Sequence, residues 1–265
     1  MPRRRGSWGY GSVRVVKLGG SIITDKKRPF TPRIKLVERL AQELARAARS
    51  VGFIPVLVLG GGSYGHAAAK EHMGFNDDLR ASLYGISLSM IELATAVADA
   101  MALAGVYTMI YPPHSFCKPQ GLKPNCDVRY LEAALSAGVV PLTFGDVYHC
   151  NGSWCIISGD ELAVELACKL GSEQIVYVVD VDGLLVDGKL VPRVSLEALE
   201  SLTEAVSKRV EGVDVTGGLR RKIEAVRANF CPTLRKIWII NGMVKGRLYN
   251  VLVGNDVRGT LITTS

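Results

Sequence analysis

Gly60-Gly61-Gly62-Ser63-Tyr64-Gly65-His66 places a histidine at the end of a glycine-rich loop that follows the apolar run Phe53 to Leu59. Glycines let the backbone approach a ligand with no Cβ in the way, and their N–H groups, joined to the start of a following helix, suit a phosphate oxygen. A second loop of this kind ends Val13-Arg14-Val15-Val16-Lys17-Leu18-Gly19-Gly20-Ser21, where Lys17 would set an ammonium against a phosphate lying above the glycines. Nine positions further on stands Lys26, inside Ile22-Ile23-Thr24-Asp25-Lys26-Lys27. Neither loop has the glycine spacing of the dinucleotide fingerprint or the Lys-Ser/Thr ending of the P-loop, so phosphate chemistry here requires another fold.

The chain has 265 residues, 48% of them hydrophobic, which is enough for a large buried core in one α/β domain or two small ones. No uninterrupted apolar stretch reaches the eighteen or so residues of a spanning helix, and Met1-Pro2-Arg3-Arg4-Arg5 is not followed by a signal-peptide core. A cytoplasmic protein with no membrane partner is expected. The net charge of +7 comes from scattered basic residues, apart from the N-terminus and Arg220-Arg221-Lys222. Anionic small substrates account for that sign without nucleic acid. The six cysteines form no CxxC pair and no zinc-like spacing with histidine, so buried thiols are expected; Cys150 and Cys155 flank a turn-like Asn-Gly-Ser-Trp that a hairpin disulfide could close.

Apolar, β-branched runs alternate with helical patterns, which is the rhythm of a mainly parallel sheet covered by helices. Strands are expected at Val13–Leu18, Ile54–Leu59, Tyr107–Tyr111, Val139–Phe144, Gln174–Val179, Trp238–Asn241 and Thr260–Thr263. Helices are expected near Arg33–Ser50, Ala67–Gly74, Leu79–Ala104, Tyr130–Ser136, Asp160–Leu170 and Arg220–Asn229, the last amphipathic helix, with a hairpin around Asp187-Gly188. Residues 1–11 read as a basic flexible tail and 12–265 as one domain, with an acceptor lobe over about 12–150 and a nucleotide lobe over about 151–265.

Four further motifs complete the pattern: Gly145-Asp146-Val147, Ile157-Ser158-Gly159-Asp160-Glu161, Val179-Asp180-Val181-Asp182-Gly183-Leu184 and Asp214-Val215-Thr216-Gly217-Gly218-Leu219-Arg220-Arg221-Lys222. With Lys17-Leu18-Gly19-Gly20-Ser21 they resemble, in the same order along nearly the whole chain, the amino acid kinase superfamily. Within it the Gly-Ser-Tyr-Gly-His ending and the Ile-Thr-Asp-Lys segment are most similar to the isopentenyl phosphate kinases. The resemblance implies an α/β fold, a three-layer αβα sandwich with a central mainly parallel sheet. It also implies ATP and Mg²⁺, isopentenyl phosphate as acceptor, and a homodimer.

Carried over by motif, Lys17, Gly19, Gly20 and Ser21 bind the ATP phosphates with Gly61 nearby, and Gly218 and Lys222 close on the donor side. Asp180 and Gly183 line the nucleoside, while Gly60, Gly65, His66 and Gly159 surround the acceptor phosphate. Lys26 corresponds to the lysine that stabilises the transition state, with Lys27 adjacent, and Asp160 is the organiser of the lysines; Asp146 is a second candidate for that task. No set of protein carboxylates for Mg²⁺ stands out. The departures are Leu59 where many relatives carry histidine, Gly61 for alanine, Tyr64 for phenylalanine and Leu219 for methionine.

These residue types suit such a reaction. A phosphate monoester acceptor is already an oxyanion, so no base is needed to remove a hydroxyl proton. The obstacle is repulsion, on the order of 4 kcal/mol per pair of unit charges at 4 Å with an effective dielectric of 20. Lysines and a hydrogen bond from His66 would offset it. Ile86, Met90, Ile91 and Leu93 could form an apolar face for a five-carbon tail or part of the core. No acidic cluster near the first loop offers to hold an amino acid. A uridylate-type or fosfomycin-type kinase, and a non-catalytic nucleotide-binding protein of the same fold, are the alternatives.

Overall fold

The computed structural model describes residues 12–65, 79–120, 123–150, 152–186, 188–199 and 217–264. Its frame is an eight-stranded sheet of β1 (Val13–Leu18), β2 (Ile54–Leu59), β3 (Thr108–Ile110), β4 (Val140–Phe144), β5 (Gln174–Val179), β6 (Arg193–Ser195), β7 (Lys236–Asn241) and β8 (Gly259–Thr263). The strand order is β6-β8-β7-β5-β1-β2-β4-β3. Every neighbouring pair is parallel except β7 with β8. Parallel strands buried on both faces read as near-continuous apolar runs, and Ile54–Leu59 and Val140–Phe144 are buried at every position, Thr143 being the polar residue among them.

The helices around the sheet include α1 (Gly20–Ile23), α2 (Ile34–Val51), α3 (Leu79–Ala102), α4 (Arg129–Ser136), α5 (Gly159–Lys169), α6 (Gly217–Asn229) and α7 (Arg247–Leu252). Alternation along the strands divides the interior into two cores. Val16, Leu18, Leu57, Leu59, Val176 and Val178 meet α2, α3 and α7 on one face. Val15, Val56, Val58, Ile175 and Tyr177 meet α4, α5 and α6 on the other. The result is the expected three-layer αβα arrangement, and Lys17, next but one after Val15, belongs to the second face.

By length and composition α3 could cross a membrane, which a search for unbroken apolar runs does not show. Here Met90, Leu93, Val97 and Met101 bury one side of it in the first core, as in an internal helix. The helix expected at Ala67–Gly74 lies outside the described residues, as do the N-terminal tail and the tip of the hairpin at Asp187. The helix expected at Arg220–Asn229 begins at Gly217, and a short helix without an expectation from the sequence, α7, follows it. A carboxylate from elsewhere supports α7: Glu43 of α2 accepts the N–H of Gly246 at 2.9 Å and of Tyr249 at 3.2 Å.

The expectation of buried thiols is overturned, because all six cysteines pair as Cys117–Cys126, Cys150–Cys155 and Cys168–Cys231. Cys117 and Cys126 face each other across a hairpin, Cys117–Gln120 with Lys123–Cys126, that the sequence reading does not contain. Cys168 and Cys231 are separated by 63 positions and meet only because α5 and α6 pack together. Sequence spacing carries no trace of such proximity.

Candidate active site

The chain runs from β1 to β2 on one side and places β5 on the other, so the carboxyl ends of β1, β2 and β5 form a crevice where the connections diverge, the usual ligand position of open α/β sheets. Lys17, Gly19, Gly20, Gly60, Gly61 and Asp180 all stand at these ends. The amide of Gly19 donates to Val178 O at 2.8 Å and that of Gly60 to Leu18 O at 2.9 Å, which fixes the three strand ends to one another.

Glycine is required by the packing of these loops. A Cβ on Gly20 would lie 2.2 Å from Gly62 N, and one on Gly159 would lie 2.7 Å from Leu59 O. A Cβ on Gly60 would fall 3.2 Å from the Lys17 ammonium. Residues 62–65 are helical. Gly62 has φ +52, and a Cβ there would meet Thr24 Oγ1 at 2.1 Å. Thr24, which sequence reasoning passed over, stitches the two loops: its hydroxyl donates to Gly20 O at 2.7 Å and accepts from Ser63 N at 2.9 Å.

Above the glycines is a triad of charges. Ser158 caps α5 in a reciprocal capping box with Glu161, and this sets Asp160 in the first turn, facing the crevice. Its carboxylate lies 2.8 Å from Lys17 Nζ and 3.4 Å from Lys222 Nζ, the latter projecting from α6. The Lys17 side chain is only 6% exposed. Burial alone would push the Asp160 carboxyl up, but the two ammoniums outweigh it and hold it below its ordinary value. Lys222 is pulled down to about 8, by burial first and by the neighbouring charge of Lys17 second, with Asp160 working the other way. Two ammoniums on one carboxylate leave net positive charge in a partly dry crevice, the requirement of an anion site.

Lys26 arrives from the opposite rim, in a loop held by the bridge between Thr24 and Pro32. Its Nζ is 2.8 Å from Asp180 Oδ2, and Ser21 hydrogen-bonds the same carboxylate. Burial pushes Asp180 up, the hydrogen bonds from Lys26 and Ser21 pull it down, and the net direction is down. Lys26 therefore has a place at the site, whereas Lys27 is exposed and engages Asp25 through its backbone N–H. Gly65 lies beside the sulfur of Met90 on α3, to which a Cβ would come within 3.6 Å.

Other expected residues lie differently. His66 falls outside the described residues. Gly218 lies in the first turn of α6. Gly183 has φ +152 and packs on Thr260 and Leu190, beneath the rim. Asp146 does not join the lysines. It is wholly buried and pairs instead with His114, Nδ1 to Oδ2 at 2.8 Å, a partner absent from the sequence reading. Of the apolar residues on α3, Met90 and Leu93 are core, whereas Ile86 forms a small separate cluster with Val147 and Leu83.

The carboxylates at the strand ends are taken up by cations, Asp160 by Lys17 and Lys222 and Asp180 by Lys26. Among the described residues no group of three or more His, Cys, Asp or Glu side chains comes together. These donors do not fit a protein-held metal ion.

The fold and the lysine–glycine crevice define a phosphotransferase class: the chain belongs to the amino acid kinase family, whose sequence model matches residues 12–230. Within that family it is 30% identical to the isopentenyl phosphate kinase of Methanocaldococcus jannaschii, over 96% of this chain and 99% of the relative. It is 32% identical to that of Methanothermobacter thermautotrophicus, over 94% and 98%. A crystal structure of the T. acidophilum isopentenyl phosphate kinase product complex superposes with a TM-score of 0.74, at 23% identity, over 95% of this chain and 100% of the other. The resemblance read from the motif order is borne out.

Proposed function

We propose that the protein is an ATP-dependent isopentenyl phosphate kinase, converting isopentenyl phosphate to isopentenyl diphosphate. An oxygen of the acceptor phosphate attacks the γ-phosphorus of ATP, the bond to the β–γ bridging oxygen breaks in line, and ADP leaves with that electron pair. The observation that carries the reading is the Lys17–Asp160–Lys222 triad over the Gly60 and Gly159 turns, in a chain aligned end to end with isopentenyl phosphate kinases.

The residues divide the work by position. Gly19, Gly20, Ser21 and Gly61 receive the ATP phosphates, with Lys222 and Gly218 closing over them and Asp180 and Gly183 toward the nucleoside. Gly60, Gly65 and Gly159 hold the acceptor phosphate, to which His66 donates a hydrogen bond. Lys17 sits between the two and follows charge on the moving phosphoryl group. Lys26 leaves Asp180 for the transferring oxygens, and Asp160 keeps both inner ammoniums aimed. Mg²⁺ accompanies ATP, held by nucleotide oxygens and water. The five-carbon tail lies toward Ile86, Val147 and Leu83, which form an apolar cluster apart from the two main cores. We further infer a cytoplasmic homodimer.

The test is a panel of acceptors with radiolabelled ATP: isopentenyl phosphate, uridylate, fosfomycin and N-acetylglutamate. Transfer to isopentenyl phosphate at a kcat/KM at least about a hundredfold above the others is expected, since the proposed apolar contacts to the tail and missing polar partners both discriminate. Preference for another acceptor would reassign the substrate, and no transfer to any would leave only nucleotide binding.

A further inference from the structure

His114 has no part in the scheme above. It lies in the 3-10 turn Pro113–Ser115 after β3, with its side chain 36% exposed, and reaches the Asp146 carboxylate, which has no exposed surface. The second oxygen of Asp146 accepts its neighbour's amide, Val147 N to Oδ1 at 2.8 Å. A carboxylate removed from water is stable only with partners, and among the described residues His114 and the Val147 amide supply them.

The position of Asp146 gives this pair a wider consequence. Asp146 opens the hairpin Asp146–Cys150 with Ser153–Ile157 and stands directly opposite Ile157, the residue before Ser158-Gly159-Asp160. Immediately before it, Gly145 packs backbone to backbone on the same turn: a Cβ there would lie 3.0 Å from Gly159 N and 3.1 Å from Ile157 O. Immediately after it, Val147 packs with Ile86 and Leu83. One buried carboxylate thus joins the turn that delivers Gly159 and Asp160 to the apolar patch on α3.

We propose that His114 is a positioning residue for the transfer: by holding Asp146 it sets the Gly145–Val147 corner, and through it the acceptor side of the crevice. It touches no reacting atom. This rests on the phosphotransferase reading of the site. The donor loop of Gly19 and Gly20 is held from β1 and β5, so the effect falls on the acceptor more than on ATP.

The experiment compares His114→Leu and His114→Asn in the full chain, by steady-state kinetics with each substrate varied and by amide hydrogen exchange over residues 145–159 without ligands. Asparagine can place an N–H where Nδ1–H stood; leucine cannot. For His114→Leu we expect a rise in acceptor KM and a fall in kcat of about tenfold or more, because small misplacements of reacting groups are costly, with ATP KM within about twofold. Exchange over 145–159 should quicken, and His114→Asn should restore most of both readouts. Wild-type kinetics in His114→Leu, an equal loss in the two variants, or unchanged exchange would overturn the proposal. If His114→Leu does not fold, Asp146→Asn is judged by the same criteria. The exchange readout needs no turnover, so it still decides the role of His114 if isopentenyl phosphate proves not to be the acceptor.

Discussion

Lys26 Nζ rests 2.8 Å from Asp180 Oδ2, so the lysine proposed for the transition state meets the carboxylate proposed for the donor side. The pair is accessible, with the Lys26 side chain 64% exposed, and an exposed ion pair contributes at most about 1 kcal/mol. An arriving triphosphate therefore displaces Asp180 from the ammonium at little cost. Lys26→Ala should lower kcat by about 10²–10³, the usual effect of removing one preorganised charge-stabilising group, while the KM for ATP changes little. Steady-state kinetics decides it, and a change confined to KM would remove Lys26 from the transition state.

Asp160 separates two buried ammoniums, Lys17 and Lys222. Asp160→Asn leaves them facing each other, and breaking a buried pair in this way costs about 3–5 kcal/mol. Urea unfolding should show that loss together with collapse of activity. Adding Lys222→Met should recover much of the stability and none of the activity. If the double variant is no more stable than Asp160→Asn, repulsion between the lysines is not the cause.

The pH dependence has two opposing limbs at Lys222, which is pulled from its ordinary 10.5 to about 8. The folded protein loses this proton as pH rises through about 8, whereas the unfolded chain keeps it to 10.5. Between those values the unfolded state binds more protons, so this group's contribution to stability rises with pH. ATP binding should weaken over the same range because the cation proposed to close on the donor phosphates is lost. Asp160 acts in the same sense in the acid range: held below its ordinary 3.8, it contributes stability present above that value and lost as pH falls through the lowered one. A profile of kcat/KM for ATP should fall above about pH 8, and Lys222→Arg should move that limb well upward. An unmoved limb would assign it to another group.

Thr24→Val keeps the shape of a fully buried residue but removes both hydrogen bonds between the Gly20 and Gly62 loops. The orphaned Ser63 N–H should cost about 1–3 kcal/mol if it stays buried, whereas Gly20 C=O keeps the Thr24 backbone N–H at 2.9 Å. Thermal unfolding and ATP affinity should both deteriorate. A variant as stable and active as the wild type would mean that glycine packing alone holds the loops.

Cys168–Cys231 closes a separation of 63 residues that includes β5, Asp180 and the whole of α6, which carries Lys222. By the chain-entropy estimate such a link contributes about 4 kcal/mol. Cys168→Ser with Cys231→Ser should lower Tm accordingly and raise the KM for ATP, and thiol titration of the wild type under denaturing, non-reducing conditions should find no free cysteine. Six titratable thiols would contradict the pairing.

The sequence is most legible where one physical signal acts alone. β1, β2 and β5 are legible to the residue from their apolar, β-branched runs, and in β2, buried on both faces, no polar position blurs the limits. The hairpin at Cys117–Cys126 escapes notice because Lys118, Pro119, Pro124 and Asn125 neither alternate nor favour a strand; pairing and a disulfide hold it. The short helix α7 escapes for a related reason, since its N-terminus is capped by Glu43, some two hundred positions earlier. At the site, Lys17, Gly19, Gly20, Gly60 and Asp160 are legible as motifs. Thr24, His114 and the link between Lys26 and Asp180 are not.

By itself the amino-acid order determined the alternation of strands and helices, the two glycine loops and the family they belong to, because these rest on local periodicity and short motifs. Only the tertiary structure decided which carboxylate each lysine meets, that Asp146 belongs to His114 and not to the lysines, and which cysteines join. Charge pairing in a crevice depends on distances of a few ångströms between segments far apart along the chain, and those distances exist only once β1, β5, α5 and α6 have packed.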